Sequence, residues 1–222
     1  MPENRAALLV GATGLIGSFL LQRLLESDCY ARVAVWARRD IGKTHPKLKS
    51  EIVDFDRLHE RHVEAEDVFC CLGSTIKQAG SQAAFRRVDY DFAVALAIAA
   101  AGCGAQRLLV VSALGANPDS RVFYNRVKGE MEIAVRAAGV PTTIYFRPSL
   151  LTGPRKEVRR GERIGEAIGS LLGPLLGKYR PIAADTVAAA MLKTALADRP
   201  SGVIESGEIR SDRPVLAEQW PE

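Results

Sequence analysis

The chain has 222 residues, 30 of them basic and 26 acidic, for a net charge of +4. With 47% hydrophobic and 25% charged residues, it is too apolar to be disordered and long enough to bury a full core without disulfides or metal. Only 6% of residues are aromatic, with no basic motif interleaved among them, which argues against a nucleic-acid-binding module.

Ala6–Val10 is a short apolar run ending at Gly11, and it predicts a buried strand. Leu15–Glu26 has helical periodicity. Arg32–Trp36 reads as a second strand, Glu51–Val53 as a short third and Asp67–Leu72 as a fourth. Ser81–Ala101 predicts a long helix whose second half is nearly all apolar and therefore buried. The uncharged stretch Phe92–Ala105 falls short of the ~20 residues that span a bilayer, so no membrane partner is expected. Arg107–Ser112 reads as a fifth strand, Arg121–Ala138 as a helix ended by Gly139–Pro141, and Thr142–Arg147 as a sixth strand closed by Pro148. Beyond it the pattern changes. Leu151–Arg163 is polar and basic, Ile164–Leu176 and Asp185–Asp198 read as helices, and Gly202–Glu205 as a last strand. This alternation predicts an α/β fold, a doubly wound parallel sheet with helices on both faces and right-handed crossovers. One domain over residues 1–222 is expected, with residues 150–222 a small C-terminal elaboration on the substrate side.

No apolar leader with a small-residue cleavage site opens the chain. Cys29, Cys70, Cys71 and Cys103 have no zinc-site spacing, and His45, His59 and His62 suggest no ligand set. No metal is expected. The cysteines read as reduced core thiols of a cytoplasmic protein.

Gly11-Ala-Thr-Gly-Leu-Ile-Gly17 lies between the first strand and the first helix. Gly11 permits the turn out of the strand, Gly14 lets backbone approach a pyrophosphate, and Gly17 lets the helix pack on the sheet. The helix start offers unpaired N–H groups to phosphate. Gly11, Thr13, Gly14, Leu15, Ile16 and Gly17 are therefore candidate cofactor residues of a Rossmann-like fold. The second strand is followed by Arg38 and Arg39 rather than by an acid that would take a ribose 2′-hydroxyl. A guanidinium suits a 2′-phosphate, so NADP is favoured with NAD still possible; the alternative is that both arginines are plain surface charge. Asp54 and Phe55 follow the third strand, where an adenine would be met.

Tyr124-Asn-Arg-Val-Lys128 places a phenol and an ammonium at i and i+4 on one helix face. Ser112 ends the preceding strand, at the sheet edge where such folds bind ligands. A lysine beside a tyrosine favours the phenolate, which fits Tyr124 for proton transfer to or from a substrate oxygen. Ser112 would hydrogen-bond that oxygen, and Lys128 would also hold the nicotinamide ribose. The alternative is a core tyrosine and a solvated lysine.

With these residues the chain resembles the short-chain dehydrogenase/reductase superfamily, in its atypical and extended branches, and is most similar to the Tat-interacting-protein oxidoreductase group. Phe69-Cys-Cys-Leu-Gly-Ser-Thr75, Val88-Asp-Tyr-Asp91, Leu108–Gly115, Tyr124–Glu130 and Arg147-Pro148 carry that likeness over residues 5–155. It implies that Cys71, Leu72 and Gly73 line the adenosine side of a cofactor site. It also implies that Arg147, Pro148, Ser149 and Leu150 flank the nicotinamide. The superfamily's asparagine after the fourth strand is replaced here by Val88-Asp89-Tyr90. The short region after Pro148 disfavours a nucleotide-sugar substrate.

Two functions follow. One is an NADP(H)-dependent oxidoreductase acting on a small carbonyl or alcohol. The other is an NADP(H)-binding regulatory module that presents a surface to a protein partner. The charge supports an anionic cofactor. Arg38, Arg39, Lys43, Lys47 and Lys49 are opposed only by Asp40, and a second basic cluster spans residues 155–163.

Overall fold

A buried apolar run becomes the middle of a sheet. Strand β1 (Arg5–Val10) is buried from Ala6 onward and pairs in parallel with β2 (Tyr30–Ala37) on one side and β4 (Asp67–Cys70) on the other. The computed structural model describes residues 4–153, 179–197 and 199–211. With β3 (Leu48–Ile52), β5 (Arg107–Val111), β6 (Thr142–Arg147) and β9 (Gly202–Glu205), a seven-stranded parallel sheet forms in the order β3-β2-β1-β4-β5-β6-β9. A separate parallel pair joins β7 (Leu151–Thr152) to β8 (Ile182–Ala183). The helices are α1 (Leu15–Glu26), α2 (Ile76–Ala79), α3 (Gln82–Arg86), α4 (Phe92–Gly102), α5 (Phe123–Ala137), α6 (Ala184–Leu196) and α7 (Ser206–Ser211).

Side chains alternate across this sheet and build two cores. Leu9, Val35, Phe69, Leu109 and Phe146 meet Leu20 and Leu24 of α1 and Val187 and Met191 of α6 on one face. Leu8, Val10, Val68, Val110 and Tyr145 meet Leu96 of α4 and Met131 and Val135 of α5 on the other.

Three of the differences from the sequence reading lie at the third strand, the fourth strand and the helix that follows it. The third strand begins earlier, at Leu48 rather than Glu51, because this edge strand is half-exposed and carries Lys49, Ser50 and Glu51. An edge needs only one buried side, so its apolar signal is weak. The fourth strand ends at Cys70, leaving Cys71 and Leu72 in the following loop. The helix expected over Ser81–Ala101 is interrupted by a π turn at Arg87–Asp91 that joins α3 to α4. The expected helix at Ile164–Leu176, the basic cluster at 155–163 and Asp198 lie outside the described residues.

At the amino ends of the strands, the fully buried Asp67 accepts a hydrogen bond from the Tyr30 hydroxyl at 2.7 Å and pairs with Arg107. Arg5 stands 3.7 Å away. This one carboxylate ties β1, β2, β4 and β5 together. Replacing Asp67 by Ala strands the Tyr30 hydroxyl and the Arg107 guanidinium and is expected to cost about 3 kcal/mol. Asp67→Asn, which keeps an acceptor, should cost less; urea unfolding of both variants reads the difference.

Candidate functional site

The carboxyl ends of the strands carry the site. Gly11 has φ 93°, and a Cβ there would lie 2.4 Å from the Cys71 carbonyl oxygen. Only glycine fits this turn between β1 and α1. A Cβ on Gly17 would lie 2.2 Å from the Gly11 carbonyl oxygen, so the first turn of α1 rests directly on the loop. Gly14 is the N-cap of α1 and supplies no side-chain cap, and the first turn carries no acid. The helix N–H groups are left for an external acceptor. Thr13 and Gly14 are exposed, whereas Leu15 and Ile16 turn their side chains into the core and offer backbone alone.

A cleft of about 470 Å³ opens over this loop, lined by Gly11, Thr13, Gly14, Arg38, Arg39, Phe55, Cys71, Leu72 and Gly73. These residues come from four separate sequence segments. Trp36, Val88 and Phe92 also line it, and sequence reasoning did not single them out. Arg38 and Arg39 are exposed and form no ion pair among the described residues. A second cleft of about 840 Å³ shares Arg38, Phe55 and Gly73 with the first and adds Asp54, Ser74 and Arg87. Asp54 caps the 3-10 turn at Phe55–Glu60, accepting from the Asp56 N–H at 3.0 Å.

Tyr124 and Lys128 lie one turn apart on α5. The Tyr124 ring packs against Phe85, with centroids 5.3 Å apart. Lys128 is 2% exposed, and its Nζ lies 2.8 Å from Oδ1 of the buried Asp89. That oxygen makes no well-angled hydrogen bond, so the contact is ionic. Asp89 Oδ2 accepts from both the N–H and the hydroxyl of Ser74 at 2.9 Å. Burial lowers the proton affinity of Lys128, but Asp89 and Tyr124 outweigh it and the net shift is upward. Burial also raises the pKa of Tyr124, against the pull of Lys128 and with a push from Asp89. The sequence marked Val88-Asp89-Tyr90 only as the place of the superfamily's asparagine; in the structure Asp89 meets Lys128 directly.

Ser112 was expected at the substrate oxygen, and in this structure its hydroxyl has another partner. It is buried and its hydroxyl donates to Glu132, with no hydrogen bond to Tyr124 among the described residues. The cause is strand alternation. Ser112 continues the even face of β5, which points under α5, where the buried Glu132 requires donors. Arg147 meets the same carboxylate at 3.0 and 2.6 Å and reaches Glu205 at 3.1 Å. The Arg147 side chain is thus committed to carboxylates. Pro148 gives its carbonyl to the Leu114 N–H at 3.0 Å, and Leu150 is 66% exposed. None of these three residues lines either cleft.

Gly129, next to Lys128, is a residue that sequence reasoning gave no role. A Cβ there would lie 2.3 Å from backbone atoms of Asn117 and Pro118, so the loop after β5 lies flat on α5. Gly129→Ala is expected to force the two apart at a cost of about 1–3 kcal/mol, read as a lower melting temperature.

The chain matches the family described as NAD(P)H-binding over residues 11–198. It is 33% identical to Protein HTATIP2 of Rattus norvegicus over 166 residues, covering 72% of this chain and 68% of that protein. It is 32% identical over 214 residues to Protein FMP52, mitochondrial, of Eremothecium gossypii, covering 92% and 96% of the two chains. Among solved structures, a UDP-N-acetylglucosamine 4-epimerase from Methanobrevibacter ruminantium superposes with TM-score 0.68 at 16% identity, over 91% of this chain and 77% of that one. MoeE5 in complex with UDP-glucuronic acid and NAD gives TM-score 0.68 at 20% identity, over 93% and 80%. These structures establish the fold. The cytoplasmic expectation is corrected, because the FMP52 relatives are named mitochondrial. Free thiols do not by themselves separate cytoplasm from organelle.

Proposed function

The chain belongs to the NAD(P)H-binding family, and from that membership we propose that it is an NADP(H)-dependent oxidoreductase of a small carbonyl or alcohol, with Tyr124 as its acid–base group. The observation that carries this reading is the one-turn spacing of Tyr124 and the buried Lys128 on α5, with Lys128 Nζ 4.0 Å from where a Cβ on Gly73 of the cleft lining would lie. The residues present fit a dinucleotide. A Cβ at Gly11 or Gly17 would close the cradle, the first turn of α1 lacks a cap, and Arg38 and Arg39 stand exposed at the cleft's rim. Gly14 and the first amides of α1 would hold the pyrophosphate, Arg38 and Arg39 the 2′-phosphate, and Phe55, Leu72 and Gly73 the adenosine.

When bound, the nicotinamide supplies or accepts hydride at the substrate carbon. In reduction, Tyr124 gives its hydroxyl proton to the carbonyl oxygen as the carbon gains hydride, and solvent returns a proton to the phenolate. Oxidation of the alcohol runs the same transfers backward. Lys128 holds positive charge beside that phenolate. Ser112 acts on α5 through Glu132 and not on the substrate.

The commitment of Ser112 to Glu132 also favours a second reading, a dinucleotide-bound module that presents its surface to a protein partner. The two are separated by turnover on a panel of small aldehydes, ketones and quinones.

Replacing both Arg38 and Arg39 by Gln should weaken NADPH binding by about ten- to a hundredfold, the loss of one or two charge-assisted hydrogen bonds, and leave NADH nearly unchanged. Thermal shift with each nucleotide measures this, since stabilisation follows RT ln(1 + [L]/Kd). Equal losses for both nucleotides refute the 2′-phosphate assignment. Tyr124→Phe should bind NADPH normally and lose turnover, and a variant as fast as the parent refutes the mechanism.

A further inference from the structure

Asp89 lies in the π turn Arg87–Asp91, which breaks the regular ladder of the helix crossing behind the cleft. Such turns insert a residue and often mark functional sites. Here the flanking side chains brace it: Arg86 pairs with Glu130 of α5 and covers the Tyr90 ring, while Arg87 pairs with Asp56 and covers the Phe92 ring. The turn presents Asp89 to Lys128, both of them buried. The Ser74 N–H and hydroxyl fix the other carboxylate oxygen. A Cβ on Gly73 would lie 3.6 Å from Asp89 Oδ1 and 4.0 Å from Lys128 Nζ, so the pair sits directly beneath the backbone that lines both clefts.

A lone ammonium next to a phenol favours phenolate. A compact ion pair has no net charge, and its field falls off faster with distance than that of a single ion. We infer that Asp89 is a positioning residue that neutralises Lys128 and holds Tyr124 as the protonated phenol, so that the resting site is poised to donate a proton to a carbonyl rather than to take one from an alcohol. This rests on the reading of Tyr124 as the acid–base group. It adds that Lys128 alone does not set the state of that group.

The charged and titratable groups around Tyr124 and Lys128 are few. Asp89 faces them from the π turn, and the Arg86–Glu130 pair bridges the preceding turn to α5. Cys70 of β4 faces Lys128 with a thiol that burial pushes up to about 11. At neutral pH the cysteine is neutral and the arginine–glutamate pair is balanced, which leaves Asp89 as the anion opposite Lys128. The Asp89→Asn substitution removes that anion, and the buried ammonium of Lys128 then stands beside Tyr124 as an uncompensated positive charge. The site restores neutrality by losing the Tyr124 proton.

The test needs neither cofactor nor substrate, so it stands apart from the test of turnover. The near-ultraviolet absorbance of tyrosinate is titrated in the parent, Tyr124→Phe, Asp89→Asn and the Asp89→Asn/Tyr124→Phe double variant. The parent and Tyr124→Phe should coincide up to pH ~10, the ordinary tyrosine value. Asp89→Asn should gain a tyrosinate with about tenfold lower proton affinity than Tyr124 has in the parent, and the double variant should lack it. A Tyr124-dependent tyrosinate in the parent below pH ~10 overturns the inference. So does a folded Asp89→Asn protein that titrates like the parent. Should Asp89→Asn fail to fold, Asp89→Ser, which also removes the carboxylate, takes its place in the same comparison. Failure of Tyr124→Phe to abolish turnover, with the titration as expected, would strike the proposed reaction and leave the ion-pair assignment standing.

Discussion

Helix α5 carries two buried charges one turn apart, Lys128 and Glu132, each 2% exposed. An unpaired charge at such depth costs several kcal/mol, so the surrounding structure has to answer both. Asp89 reaches Lys128 from the helix that follows β4, and Arg147 and Ser112 reach Glu132 from the ends of β6 and β5. These partners arrive from different sides. Together they fix the depth and the rotation of α5, and with them the position of Tyr124. The close approach of the 113–120 loop at Gly129 fits only that placement.

The sheet is polarised in the same sense. Its amino edge is tied by Asp67 to Tyr30 and Arg107. Its carboxyl edge holds the glycine loop, the two clefts and the exposed Arg38 and Arg39. At one end Asp67, Tyr30 and Arg107 satisfy one another; at the other, α1 begins without a side-chain cap. Open parallel sheets bind ligands at the carboxyl ends of their strands as a rule.

Much of this was legible in the residues because the central strands are buried on both faces and read as unbroken apolar runs. The glycine loop was legible because its spacing reflects contacts within a few residues. β3 was misplaced since an edge strand hides only one side. The π turn was invisible, as Arg87–Asp91 has ordinary helical composition and its extra residue is imposed by tertiary partners. The Glu132 partner of Ser112 was not legible, because it depends on strand alternation and on a carboxylate twenty positions further along the chain. Asp89 was legible only as a departure from the superfamily's asparagine, and Gly129 matters only through contact with distant backbone, which no local pattern announces.

Among the described residues the sheet is closed by β9, whose one neighbour in it is β6. β6 is nearly all buried, with Thr143–Phe146 inside, yet its outer edge stays unpaired until Gly202–Glu205 has been synthesised. During translation, six strands can therefore associate while an apolar edge remains open, and such an edge is a template for pairing with another chain. The vulnerable period of this protein's biogenesis is the interval between the emergence of β6 and that of β9. Anything that slows elongation there lengthens the exposure of nascent chains to one another.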